Sequence, residues 1–190
     1  ELTYEAMQVD QPGMLLARSG WHGCQGLSAI WAGDQTSDFS LFTGLRSAMI
    51  AAVTAGLSGF PYWSCDIGGY FGTPSDEVYM RWVQFGAFSP IMMVHGAGMR
   101  EPWNFSEQTL NVYRRYAHLH TDLFPYIHAY ARNASNTGIP IMRAMPLEFP
   151  DDPGVWDELS EYQYCFGREL LVAPVHYGFS RTRPVYLPDG

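Results

Sequence analysis

The apolar positions of the chain change their pattern at about residue 135. Before it, short runs at 14–17, 27–31, 60–63 and 90–94 are apolar on both faces and bounded by turn residues, as strands covered on both sides are. Between them the apolar period lengthens. Leu41, Leu45, Ala48, Ala52 and Ala55 recur at three- and four-residue steps and predict a helix over 39–57 with Asp38 as its cap; Val78, Trp82, Phe85 and Ala87 do the same for 76–88, capped by Ser75. A third helix is predicted over 106–133, interrupted at Pro125. Strand and helix in alternation are the grammar of a parallel sheet or barrel. After Gly138 the pattern is different: 140–143, 162–165, 170–173 and 184–187 read as short strands separated by Pro, Gly or Asp clusters. The expected organisation is an α/β part, 1–134, built as the C-terminal half of a (β/α)8 TIM barrel, followed by a small β-rich, sandwich-like module, 135–190, that supports the barrel.

Charged residues fall just after each expected strand of the first part: Arg18, Asp34, Asp66 and His95. In a (β/α)8 barrel such positions converge on one rim, where active sites are built.

Composition narrows the chemistry. With 47% hydrophobic and 15% aromatic residues the chain has material for a buried core, and 19 acidic against 11 basic residues leave a net charge of -8. That balance repels phosphate backbones, so nucleic acid is excluded as a partner, and no polybasic patch addresses a membrane. The longest apolar stretch, 48–57, is far short of the roughly 20 residues a bilayer-spanning helix needs. Three Cys at wide spacing, Cys24, Cys65 and Cys165, form neither a disulfide framework nor a zinc ladder and read as small buried hydrophobes. There is no GxSxG elbow, no phosphate-binding GxxxxGK[ST] loop, no HExxH and no GxGxxG. The chain also lacks any Lys, which excludes a Schiff-base aldolase.

Within WAGDQTSDF, Asp34 stands beside Trp31 and Gly33. An Asp in a βα loop often does no more than cap a helix. An aromatic wall, however, offers stacking surface to a sugar and desolvates a neighbouring carboxyl, which favours the protonated form that a general acid needs. Arg18 is either a loop ion pair or a fork of donors for a substrate hydroxyl or a carboxylate. Asp66, in WSCDIGGY, precedes two glycines that permit a sharp turn or a close approach of ligand; an Asx-turn accounts for it equally well. His95 reads as a hydrogen-bond donor rather than a base.

Taken together, RSG with Arg18, WAGDQTSDF with Asp34, GLSGFPYWSCDIGGY with Asp66 and Tyr70, RWVQFGAFSPIMMVHG with His95, PW at 102–103, and the later GIPIMRAMPLEFPDD and LLVAPV blocks resemble glycoside hydrolase family 31, the α-glucosidases, α-xylosidases and relatives. The resemblance covers nearly the whole chain in the family's order. It implies a retaining, exo-acting α-glycosidase for α-glucosides or α-xylosides. Asp34 matches the family's acid/base, Arg18, Asp66 and His95 match residues that hold the sugar and nearby charges, and Trp31, Trp63 and Tyr70 match aromatic walls. The WAGDQ and DIGGY strings are also similar to the sulfoquinovosidase branch, but HGAGMREPW replaces that branch's basic block, which favours a neutral sugar.

The family's aspartate nucleophile is expected upstream of Glu1, and Asp10, in a loop-like setting before Gln11 and Pro12, does not match its motif. The 190 residues are therefore expected to be a fragment, inactive alone, because half a barrel leaves sheet edges open. A non-catalytic carbohydrate-binding or structural relative is the alternative. The resemblance implies an α-linked oligosaccharide or glycoside as partner, no metal and no organic cofactor, and is compatible with a homo-oligomer of the full-length enzyme. The compartment is left open, with the cytoplasm favoured.

Overall fold

A computed structural model describes residues 2–8 and 13–189; Asp10 lies outside the described residues. The elements, in order, are α1 (Leu2–Met7), β1 (Leu16–Ala17), β2 (Ala29–Trp31), α2 (Leu45–Leu57), β3 (Trp63–Ser64), α3 (Asp76–Gly86), α4 (Glu107–Asp122), α5 (Phe124–Thr137), β4 (Met142–Ala144), α6 (Met145–Glu148), β5 (Tyr164–Phe166) and β6 (Leu170–Val172).

Strands β1, β2 and β3 form a parallel sheet in that order, with Leu16 opposite Ala29 and Ile30 opposite Trp63. Segment 90–94 continues the sheet only as one parallel bridge, Asp66 to Met93, with Ile67 N–H donating to Met93 O at 3.1 Å. It is not the full strand its apolar run predicts: Pro90 has no N–H to give, and the Ile91 carbonyl is taken by the Ser64 and Ser89 hydroxyls.

The helix expected from residue 39 starts at Leu45 instead. Asp38 turns its side chain onto Ser40 N–H at 2.8 Å and does not cap the helix, whose N-cap is Gly44. Local Asx bonding of this kind competes with helix formation. Ser75 caps α3 as expected, accepting from Val78 N–H at 3.3 Å, with Asp76 and Glu77 in the first turn. Ser106 caps α4 in the same way, and the long helix breaks at Leu123 so that Pro125 opens α5, where a missing N–H costs nothing.

In the second part β4, β5 and β6 form an antiparallel sheet, Met142 opposite Phe166 and Tyr164 opposite Val172. The expected strand at 184–187 does not form. Tyr186 pairs instead with a side chain, its N–H donating to Gln163 Oε1 at 2.8 Å and its carbonyl accepting from Gln163 Nε2 at 3.0 Å.

The two parts share one core. Leu45, Met49, Trp63, Val83 and Phe85 from the parallel part pack in the same cluster as Met142, Tyr164, Phe166 and Val172. Tyrosine hydroxyls fix the seating: Tyr164 donates to Phe88 O at 2.9 Å, and Tyr126 on α5 donates to Phe166 O at 2.8 Å. The antiparallel sheet is thus a wall of the α/β core, with β4 packed against α2.

Candidate active site

The parallel register sends the ends of β1, β2 and β3 to one edge, and the residues just beyond them meet there. Arg18 follows β1 directly, and its Nη2 lies 2.9 Å from Asp34 Oδ2 in the loop after β2. Asp66, two residues beyond β3, is fully buried. Burial pushes its carboxyl up to about 6; the charge of Asp34 acts in the same direction, while His95, the Trp31 indole and Arg18 oppose the rise. Trp31 Nε1 is close enough to exert that influence but makes no hydrogen bond of acceptable geometry. His95 is exposed beyond the bridge at Met93, with its ring centroid 5.4 Å from that of Tyr70.

Among the described residues, the buried polar side-chain atoms without a hydrogen-bond partner are Trp31 Nε1, Gln35 Oε1 and both carboxylate oxygens of Asp66. Buried polar groups are ordinarily paired. Here the unpaired ones all belong to residues at this one strand-end edge.

Backbone contacts lock the loops together. Tyr70 and Phe71 N–H both donate to Gln35 O, at 2.8 and 2.9 Å, and Ser37 N–H donates to Phe71 O at 2.9 Å. Gly69 permits this approach: its φ is +78°, and a Cβ there would stand 2.8 Å from Thr36 O. Gly69 of DIGGY therefore serves a close loop-on-loop contact.

Of the residues singled out from sequence, the structure brings Arg18, Trp31, Asp34, Asp66, Tyr70 and His95 to this edge. It does not bring Trp63. That ring is buried on the opposite face of β3, edge-on to Phe85 at 5.9 Å. Side chains alternate along a strand, so if Ser64 and Asp66 face the site, Trp63 and Cys65 face the helices. Indole burial of this size stabilises by about 4 kcal/mol, and packing has claimed the ring.

Sequence reasoning missed Arg100. It is a buried guanidinium whose Nε donates to Gly69 O at 2.7 Å. The one signal was its position five residues after His95, in a stretch rich in glycine. Cavity size does not mark the site: a cavity of about 510 Å³ lies between α2 and the second sheet beside Met49, Trp156 and Tyr162, whereas the cleft at His95 and Arg100 holds about 210 Å³.

Parallel strand ends that gather an ion-paired carboxylate, a buried unpaired carboxyl, an indole and an imidazole have the arrangement of one rim of a (β/α)8 barrel. Residues 1–130 match the TIM-barrel domain of the glycosyl hydrolases of family 31, and residues 138–190 match that family's C-terminal domain. The chain belongs to glycoside hydrolase family 31. It is 39% identical to an isomaltosyltransferase of Sporosarcina globispora, with 92% of this chain and 17% of the relative covered. It is 37% identical to an α-xylosidase of Saccharolobus solfataricus, with 93% and 24% covered. The cycloalternan-degrading enzyme of Trueperella pyogenes, solved with a covalent intermediate, superposes with a TM-score of 0.89 at 35% identity, over 100% of this chain and 27% of that one. The chain thus spans about a fifth of the length of these curated relatives.

Proposed function

We propose that this chain is the acid/base-bearing part of a retaining, exo-acting α-glycosidase that hydrolyses α-glucosides or α-xylosides. The observation that carries the reading is the pair of unpartnered oxygens on the fully buried Asp66, at the edge where Asp34 is held by Arg18. A carboxylate buried without partners is costly to the fold, and beside Asp34 and Arg18 its field acts on the groups that meet a substrate. The relatives named above act on or transfer α-linked sugars by their names, and one was captured with a covalent intermediate.

A retaining mechanism needs a second carboxylate about 5 Å from the acid/base. In this reading that nucleophile is contributed from outside residues 1–190. Protonated Asp34 donates its proton to the glycosidic oxygen as the nucleophile attacks the anomeric carbon and the C–O bond breaks. The Asp34 carboxylate then takes a proton from the water that attacks the glycosyl-enzyme. Arg18 stabilises the carboxylate between these steps. Arg18 and His95 bind sugar hydroxyls, Asp66 holds the network in register, and Trp31 and Tyr70 give the ring apolar faces. We assign the α/β part to 1–134 and the supporting module to 135–190, in line with the two matched family domains.

The test is an assay of the full-length protein and of the isolated 190-residue chain on aryl α-glucosides and α-xylosides. Hydrolysis of one of them by the full-length protein alone is expected and names the sugar. Turnover of neither overturns the glycosidase reading, and turnover by the isolated chain overturns the external nucleophile.

A further inference from the structure

Arg100 is the side chain on which three site loops converge. Besides the Nε bond to Gly69 O, Nη2 donates to Gly72 O at 2.7 Å, to Tyr70 O at 3.1 Å and to Ser37 Oγ at 3.1 Å, and Nη1 donates to Met99 O at 2.9 Å. Three of these acceptors belong to the loop that follows Asp66, one to the loop that follows Asp34, and one to the loop that follows His95. The Arg100 carbonyl is itself pinned by the Tyr79 hydroxyl of α3 at 2.6 Å. The backbone makes room for the fork: a Cβ at Gly96, next to His95, would stand 2.7 Å from Arg100 Nε.

Among the described residues, none of the ion pairs involves this guanidinium. A buried cation whose hydrogen bonds all go to neutral acceptors recovers only part of its desolvation cost from the charge of nearby Asp66, and burial does lower its basicity. A site of that volume filled by an apolar side chain would serve stability as well. What an apolar side chain cannot do is span several carbonyls in different directions at once. Lysine cannot do so either, since its donors radiate from one point.

We propose that Arg100 is a positioning residue that clamps the Asp66 loop onto the Asp34 and His95 loops and so sets the spacing between the groups that hold the sugar and the group that moves the proton. The role rests on the glycosidase reading for its chemistry, and on the hydrogen bonds alone for the clamp.

The test is Arg100→Lys in the full-length protein, read by steady-state kinetics and by amide hydrogen exchange. In the folded variant, kcat/KM for an unactivated α-linked disaccharide should fall at least about tenfold, and by more than for an aryl glycoside whose leaving group needs little protonation. Exchange at 35–37 and 66–72 should rise together by at least about tenfold, with α3 unchanged. Wild-type kinetics with wild-type exchange in both loops would falsify the clamp. If Arg100→Lys does not fold, Tyr79→Phe, which releases the Arg100 carbonyl and removes no hydrogen bond to either loop, should raise exchange at 35–37 and at 66–72 together; a change confined to α3 overturns the proposal. A wild-type protein without glycosidase activity refutes the functional reading and leaves the exchange measurement to decide the clamp.

Discussion

The guanidinium of Arg18 stands 2.9 Å from the carboxylate of Asp34, with the Arg18 side chain 61% exposed and that of Asp34 only 19%. An ion pair with one partner this exposed stabilises a fold by no more than about 1 kcal/mol, so its value lies in aiming the carboxylate. Asp34→Asn in the full-length enzyme should therefore lower turnover of an unactivated disaccharide by about 10²- to 10⁴-fold. Arg18→Met should also cut turnover while leaving the unfolding free energy within about 1 kcal/mol of wild type. Denaturation curves beside kinetics check both; an Asp34→Asn enzyme of normal turnover would remove Asp34 from the acid/base role.

Asp66 carries a pH signature. Its carboxyl ordinarily titrates at 3.8 and is pushed to about 6 in the fold, first by burial. Between those values the folded protein holds a proton that the unfolded chain has released. Stability is therefore greatest below about pH 4 for this group, declines as pH rises toward about 6, and is flat beyond, the loss being on the order of 3 kcal/mol. Asp66→Asn should flatten this slope and weaken sugar binding. Urea unfolding at pH 4, 5, 6 and 7 measures it, and parallel pH profiles for variant and wild type would refute the assignment.

The three thiols should separate by accessibility. Cys65 is buried, accepts the Trp82 indole N–H at 3.3 Å and is pushed up to about 12 by burial; Cys165 is buried and pushed to about 11. Cys24 is partly exposed, which departs from the expectation that all three are core residues. Because the thiolate is the nucleophile, a thiol reagent at pH 8 should label Cys24 in the native protein and all three after denaturation. Native labelling of Cys65 at a comparable rate would contradict this burial.

Glu148 bridges two arginines of unequal burial. It meets Arg143, whose side chain is 6% exposed, at 2.6 Å, and Arg168, 72% exposed, at 2.9 Å. Removing one partner of a buried pair leaves a stranded charge and costs about 3 kcal/mol, whereas an exposed pair is worth under about 1 kcal/mol. Glu148→Ala should thus destabilise by about 3 kcal/mol and Arg168→Ala by less than 1 kcal/mol in chemical denaturation. Equal losses would mean that the Arg143 pair is not the one that matters.

Much of the first part was legible because its signals are local. Ser75 and Ser106 cap helices where their sequence places them, and Pro125 breaks the long helix where its missing N–H demands. The starts and ends that misled are those settled by competing side chains: Asp38 bonds Ser40 instead of a helix end, and Gln163 supplies the pairing that a strand at 184–187 lacks.

For the site, the sequence by itself determined the family motifs and which residue types stand at strand ends, since both follow from order along the chain. Only the tertiary structure decided which of them face one another. Strand alternation and core packing put Asp66 on the site edge and Trp63 behind it, a distinction set by one residue of register. Burial, not composition, raised the Asp66 carboxyl, and the convergence of loops far apart in sequence turned Arg100 from an unremarked charge into the centre of the hydrogen-bond network. Those effects depend on distances through space, which a linear pattern does not encode.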